Sequence, residues 1–542
     1  MKLSSVLKWV GLALLVLLAV VAYRLLGTVI APKVEERIDR IGLTSNEVAA
    51  NGPLPGVVSL YAQEYACSQK LPTPGYYPSL NAAEVADGQR SGIYPCATFT
   101  GSFDGPNQVF AWRAADPYQA TEYIVNRRPG ELFVAGGANP PLTGAVPAGP
   151  YIARVDAATG KALWRTYFEN ANASGRWLNA VNLNFMTNGQ IVFAWQNNIA
   201  LVDPDTGLIL KHNTLPTGAT PPSASGFKNL TIAPDGTIIV KNQTRPTGFG
   251  EQGTLAIIQG VQKGFKQPPS TMVAVDPKTL EVLDQIDLPE PSTTPHVVSM
   301  FEGRIAIYVG VDSGAMRYFW DPASKKLSRD ESWTVSPMEK GQTTSDAPSL
   351  MGEWIILQTN GLGSKTVASS IVAVHQKDAK RFKVIFPFGP LKKGEMSFAP
   401  PKPQTDPENQ MIYSADMGVR KVAGIKLDPA SGDMKVAFTL DITTTGFQPL
   451  VGTKDKRVMM LSNMKPNVAA EPIDVAMWTA NYTEQVTWHD AATGRQLAAS
   501  DFFEPMTFNG LIVPGFGGRV YYTTDKGFVV LQVMPKAAAA PR

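Results

Sequence analysis

From about residue 108 onward the chain repeats one pattern of apolar and polar positions. A β-rich run and a small turn lead to a second β-rich run, which ends in an aspartate-centred turn before another short strand. Short apolar runs bounded by turn residues predict strands rather than amphipathic helices. The clearest turn is Val155-Asp156-Ala157-Ala158-Thr159-Gly160-Lys161-Ala162-Leu163-Trp164. Further copies are centred on Asp203 (with Gly207), Asp276, Asp321, Asp428 (with Gly432) and Asp490 (with Gly494), and a worn copy spans 372–378. In each, the carboxylate is placed to accept hydrogen bonds from backbone N–H groups two or three residues on, while glycine supplies positive φ at the turn's end. A proline after the aspartate, as at Pro204, Pro277, Pro322 and Pro429, fixes φ at the first corner without changing the geometry.

Partner strands are predicted upstream at 132–134, 190–195, 237–240, 304–308, 354–357, 411–413 and 457–461, and an eighth at 519–523 is followed by 527–531. The six steps from Asp156 to Asp490 average about 56 residues, above the ~40–50 of common propeller blades, so insertions are expected between strands. Small sheets that cannot bury both faces alone must stack, and a radial arrangement hides nearly all their edges. The expectation is an all-β, eight-bladed β-propeller over 108–535, with seven blades as the alternative. The last unit stops after its third strand, and an early strand at 108–112 completes it and closes the ring.

The amino-terminal pattern is different. Lys2 and Lys8 precede an uncharged apolar run over 9–23, and after Arg24 apolar residues resume through Ile30. Such a stretch is long enough to span a bilayer, which needs about 20 residues, with Arg24 snorkelling to the far interface. The flanking lysines predict a cytoplasmic amino terminus and a translocated body. A cleavable signal peptide is the competing reading; apolar residues beyond Arg24 and Pro32 after Ala31 favour a retained anchor over 1–31. Residues 32–107 then read as a lead-in segment that begins with a charged stalk helix near 34–41, and 536–542 as a disordered tail. The expected location is therefore the inner membrane, single-pass, with the body in the periplasm or outside the cell.

Composition sharpens this picture at a few points. The 47 glycines and 43 prolines suit many short strands joined by tight turns, and a net charge of +3 with no long basic run gives no reason to expect a nucleic-acid partner. In an exported body the two cysteines, Cys67 and Cys96, are expected to form one disulfide, the alternative being two unrelated buried thiols. No CxxCH, GxSxG, HExxH or phosphate-loop string is visible, and the four histidines lie far apart, so no metal site is expected. Residues leading into the inner strands should face the central channel, where propellers bind ligands; these candidates are Asn182, Asn184, Asn229, His296, Asp346 and Gln448. Each has a bland alternative as a satisfied polar group. His489, beside Asp490, is assigned to its turn. The stretches 136–149 and 243–270 are the expected partner-binding surfaces.

The string Asp156…Thr159-Gly160-Lys161…Trp164 resembles the repeat of the PQQ-like (quinoprotein) propeller family, over roughly residues 100–535. The resemblance implies that Trp164 docks between blades. Leu210 and Leu497 match Leu163 in other copies, but Lys211 and Ala498 stand at the Trp164 offset, so this docking is expected to be missing from most blades. By the same resemblance, a quinone with a calcium-type ion would sit in the channel on carboxylate and amide ligands. No residues can be assigned to that set, and fold and function separate readily. Three functions follow as expectations. The first is a non-enzymatic scaffold for envelope or membrane proteins, holding no cofactor. The others are a PQQ- or metal-dependent periplasmic oxidoreductase and a small-ligand binder in the channel.

Overall fold

A computed structural model describes residues 55–536, apart from 115, 117, 119, 139–148, 169–180, 249–262, 340–341, 362–363, 400, 445, 447–448, 469–480 and 507–509. The expected anchor, stalk helix and tail lie outside the described residues, as do Gln448, most of the stretch 136–149 and half of 243–270. No helix among the described residues is long and apolar enough to cross a membrane.

Among the described residues eight sheets, antiparallel but for one short added strand, follow one another in chain order. Their inner strands are Thr121–Asn126, Val181–Phe185, Ser225–Ile232, His296–Phe301, Ser349–Met351, Gln404–Asp406, Leu450–Val451 and Ile512–Pro514, for blades 1 to 8. Blade 8 is built from both ends of the body: Asn107–Arg113 is its outermost strand and pairs antiparallel with Gly527–Pro535. Eight blades and this closure match the sequence reading: the blades are written in local strand and turn chemistry, and the closure follows from counting their strands. Second and third strands such as Ile191–Trp195, Asn198–Val202 and Ile371–His375 are buried almost throughout, since neighbouring blades cover both faces of each sheet.

The aspartate corners form as expected. Asp156 accepts from the N–H groups of Ala158 at 2.8 Å and Thr159 at 2.9 Å, and Asp203 accepts from those of Asp205 at 2.9 Å and Thr206 at 2.8 Å. The Thr159 and Thr206 N–H bonds hold these carboxyls below the usual carboxylate range. Asp276, Asp321, Asp428 and Asp490 also accept from the N–H two residues on. In the worn copy His375 takes the aspartate's place, its Nδ1 accepting from the Lys377 N–H at 3.2 Å. His489 is part of its turn, with Nδ1 3.0 Å from the Gly494 carbonyl oxygen.

The fourth residue after the aspartate is left-handed in all six good copies: Gly160, Gly207, Gly432 and Gly494, but Leu280 at φ 60° and Lys325 at φ 54°. A side chain is strained there by roughly 1–2 kcal/mol. Lys325 is exposed, so Lys325→Gly is expected to stabilise the fold by about 0.5–1 kcal/mol, net of glycine's greater unfolded-state freedom. Urea unfolding that shows Lys325→Gly less stable than the parent would contradict this.

Aromatic docking departs from the expectation. Trp164 does dock, its Nε1–H donating to the Pro204 carbonyl at 3.2 Å while its ring lies against Gly207. The same seat is filled elsewhere by residues at other offsets: Trp112 on Gly160, Trp354 on Gly432 and Phe438 on Gly494. A Cβ added at Gly432 would lie 2.3 Å from the Trp354 ring. The docking survives because any large ring reaching the bare glycine fills the hole, whichever strand carries it.

Candidate functional site

The eight inner strands surround a central channel, and the chain's own lead-in segment crosses it. Helix Tyr61–Ser68 rests on blade 8, where the buried Glu64 carboxylate accepts from the N–H groups of Gly517 at 2.6 Å and Thr98 at 3.1 Å. Burial raises the Glu64 carboxyl above its usual range, against those two hydrogen bonds. Residues 76–94 then pass from one inner strand to the next. The Ile232 N–H donates to Tyr76 Oη at 2.8 Å, Asn126 N–H to the Asn81 carbonyl at 2.8 Å and Phe185 N–H to the Ala82 carbonyl at 2.8 Å. Val298 N–H donates to the Gly88 carbonyl at 2.8 Å, and Leu450 N–H to the Gly92 carbonyl at 2.9 Å. Gln404 Nε2 donates to the Ser91 carbonyl, and Ile93–Tyr94 adds a short parallel strand to blade 7. In blades 1 to 3 the contacts fall on the last residue of the inner strand, so the segment plugs the channel where those strands finish.

Small residues allow this close approach: Ala82, Ala83, Ala86, Gly88 and Gly92 leave the backbone bare, and a Cβ at Gly92 would lie 2.5 Å from Gln404 Oε1. The path still requires left-handed backbone at Val85, Ala86 and Arg90, with φ 56°, 78° and 53°. A β-branched residue there is strained and persists only where its surroundings over-determine it. Those surroundings include a buried charge pair within the plug. The Arg90 guanidinium donates to both Glu84 carboxylate oxygens, at 2.6 and 2.8 Å, with the two residues 2% and 7% exposed. Burial opposes the arginine's charge, and the Glu84 carboxylate more than restores it.

Of the sequence candidates, Asn182 and Asn184 meet this pair. Asn182 Nδ2 donates to Glu84 Oε2 at 2.8 Å; Asn184 accepts from the Glu84 N–H at 3.3 Å and donates to Asn182 Oδ1 at 3.1 Å. Asn229 and His296 sit instead at the seam of blades 3 and 4. Asn229 Nδ2 donates to the Thr294 carbonyl at 3.3 Å, and His296 Nε2 is 2.6 Å from Thr231 Oγ1. Burial, followed by the charges of Lys241 and Arg90, keeps His296 neutral, well below the usual imidazole pKa. Asp346 is half-buried and close enough for its charge to act on both Arg90 and Lys402.

Sequence reasoning missed the charged members of this interior, among them Glu84, Arg90, Lys241 and Lys402. Lys241 donates to the Ser292 carbonyl at 2.8 Å and the Asn242 carbonyl at 3.1 Å. A lysine inside the apolar string Ile238-Ile239-Val240-Lys241 was the one available signal. Lys402 Nζ lies 3.1 Å from Ser349 Oγ, a spacing suited to a base and a nucleophile. Ser349, however, is buried and donates its proton to the Pro403 carbonyl at 2.5 Å, so the pair serves as structure.

Burial lowers Lys402 to a pKa of about 7. The unfolded lysine holds its proton up to about pH 10.4, so between these values unfolding takes up a proton. Stability is therefore expected to rise with pH from about 7 to 9, and Lys402→Met to flatten that rise while stabilising the fold near pH 7. Urea unfolding at pH 6, 7, 8 and 9 measures it; identical pH dependence in both proteins would refute the assignment.

Beside the plug, a cavity of about 250 Å³ opens between it and blades 5 and 6, with walls that include Leu80, Asp87, Arg90, Tyr94, Leu350 and Thr405. Its acidic wall residue, Asp87, already accepts from Ser91 through Oγ at 2.7 Å and N–H at 3.1 Å. Among the described residues no group of three or more His, Cys, Asp or Glu could hold a metal ion. Glu84, the carboxylate beside the channel amides, is capped on both oxygens by Arg90, so a cation there would meet a guanidinium. These residues do not fit the calcium-and-quinone cradle that the resemblance implies.

No family model matches the chain, and no curated protein matches it. Solved structures do. A europium-containing methanol dehydrogenase aligns at 9% identity and a TM-score of 0.52, over 87% of this chain and 100% of that one. The quinohemoprotein alcohol dehydrogenase from Comamonas testosteroni aligns at 11% and 0.46, covering 89% of this chain and 85% of that one. BamB from Moraxella catarrhalis aligns at 12% and 0.43, covering 78% and 97% respectively. At such identities likeness carries fold and no more: this chain has the fold of a divergent PQQ-like, eight-bladed β-propeller.

Proposed function

We propose that this chain is an exported, membrane-tethered propeller that acts as a non-enzymatic scaffold for envelope or membrane proteins. The observation that carries this reading is the plug. A channel end crossed by the chain's own backbone, with its charges paired internally, offers a substrate little beyond the cavity beside it. What remains for function is a rigid ring whose loops and rim face outward, as on other scaffolds that present binding surfaces. Export is supported by the Cys67–Cys96 disulfide, a bond that persists in oxidising compartments, and by the apolar amino-terminal run after Lys2 and Lys8.

Chemical crosslinking in intact cells, followed by purification of the full chain from membranes, tests the proposal. A reproducible protein partner is expected, together with protection of the body from protease added to the cytoplasmic side. Recovery of the chain alone would sink the scaffold. Adding PQQ and calcium to the purified protein is expected to give no quinone absorbance band and no dye reduction over a panel of alcohols and sugars. Turnover with either would restore the oxidoreductase reading.

A further inference from the structure

We propose that the outer strand of blade 5, Asp378–Ile385, is a docking edge that takes an acidic, extended segment of a partner protein as a fifth strand; this rests on the scaffold reading above. Among the described residues the strand pairs with Ile371–His375 alone, leaving main-chain groups of its far edge for another strand, apart from the Lys380 N–H, which donates to Asp378 Oδ1 at 2.9 Å. Over 382–385 the pairing is regular and side chains alternate between the two faces; the register shifts between Val374 and His375, which pair with Phe382 and Asp378. On one face lie Phe382 and Val384, continued by Phe386; these are 46%, 45% and 47% exposed. On the other lie Arg381, which donates to the Ala430 carbonyl at 2.7 Å, and Lys383, 2.8 Å from Asp433.

The corresponding strand of blade 6, Met434–Leu440, is arranged the opposite way. Its exposed positions are Lys435, Ala437 and Thr439, while its large apolar residues are partly covered. Blade 5 therefore combines outward aromatic and aliphatic side chains with an edge that is regular over 382–385, flanked by the register shift at His375 and a run of cations that guard against unselective pairing. Charge selects the occupant. Residues 377–386 hold four cations, Lys377, Lys380, Arg381 and Lys383, against the single acid Asp378, and neighbouring blades set Glu302 against Lys377 and Asp433 against Lys383, which leaves the edge cationic. A strand with apolar residues on one face and carboxylates on the other would set the first beside Phe382 and Val384 and the second beside Arg381 and Lys383. Room for its end lies beyond Lys377, in a groove of about 580 Å³ whose walls carry both arginines and acids and where the Arg304 guanidinium lies over the Phe319 ring, 3.4 Å from its centroid.

The test uses the detergent-solubilised full chain and two fluorescein-labelled decapeptides, one alternating Glu with Val and the other Lys with Val. The Glu-Val peptide is expected to bind at least tenfold more tightly, and to slow amide hydrogen exchange at least tenfold within 378–386. Arg381→Glu/Lys383→Glu should invert the preference, and Phe382→Ser/Val384→Ser should weaken Glu-Val binding at least tenfold. Circular dichroism matching the parent establishes that each variant is folded. Equal binding of both peptides, protection elsewhere, or indifference to both folded variants would overturn the proposal. So would self-association abolished by Phe382→Ser/Val384→Ser, which would make the occupant a second copy. If crosslinking still recovers the same partner from Phe382→Ser/Val384→Ser, the scaffold stands and only this edge is wrong; recovery of no partner from the parent removes the scaffold itself.

Discussion

Arg90→Ala is expected to destabilise the fold by about 3–5 kcal/mol, the usual cost of breaking a buried ion pair by removing one partner. The loss arises mainly on the carboxylate that remains. Glu84 would keep the hydrogen bond from Asn182 Nδ2 but lose both guanidinium contacts, and its burial leaves little water to replace them. Arg90 also occupies a left-handed position, so alanine gains no backbone relief there. Removing both charges together should be gentler: Glu84→Gln/Arg90→Met leaves no buried ion, and is expected to recover much of the loss. Denaturant unfolding of the three proteins gives the comparison. An Arg90→Ala penalty below about 1 kcal/mol, or a double variant no better than the single one, would mean that water reaches this pair freely.

Opening the Cys67–Cys96 disulfide is expected to cost about 3–4 kcal/mol, the loop-closure value for a separation of 29 residues in the chain-entropy account. The bond joins the helix seated on blade 8 to the end of the plug. Cys67→Ser/Cys96→Ser should therefore unfold at lower denaturant and be cut sooner by protease within 70–95, and the reduced parent should behave like the variant. A reduced parent as resistant as the oxidised protein would show that the hydrogen bonds to the inner strands suffice without the crosslink.

How much of this was readable in the residues depends on the range of the interaction. The aspartate corner is written in five consecutive residues, so Asp156 to Gly160 could be recognised without knowing what lies across the sheet. Eight blades and closure by 108–112 followed from counting such units. Ring docking was misjudged because Trp112 and Trp354 reach their glycines from different strands, which a fixed offset from the turn cannot express. The plug was not readable at all. Residues 76–94 lack periodicity, and their partners stand as far away as Leu450. The left-handed Val85 runs against its own preference, so the surrounding ring dictates its shape. Asn182 and Asn184 were found as polar residues in a strand, whereas Glu84, which they serve, gave no sign of being internal.

Because blade 8 takes its outermost strand from 107–113 and its other three from 512–535, the ring cannot close until nearly the whole body has left the ribosome. The plug faces the same delay, since it needs Leu450 as well as Asn126. During that interval an early strand waits unpaired for a partner more than four hundred residues downstream, which is the contact pattern of a slow-folding, aggregation-exposed chain. Folding of this protein would therefore depend on a holding chaperone, and a message truncated before 512 would leave an open, adhesive ring.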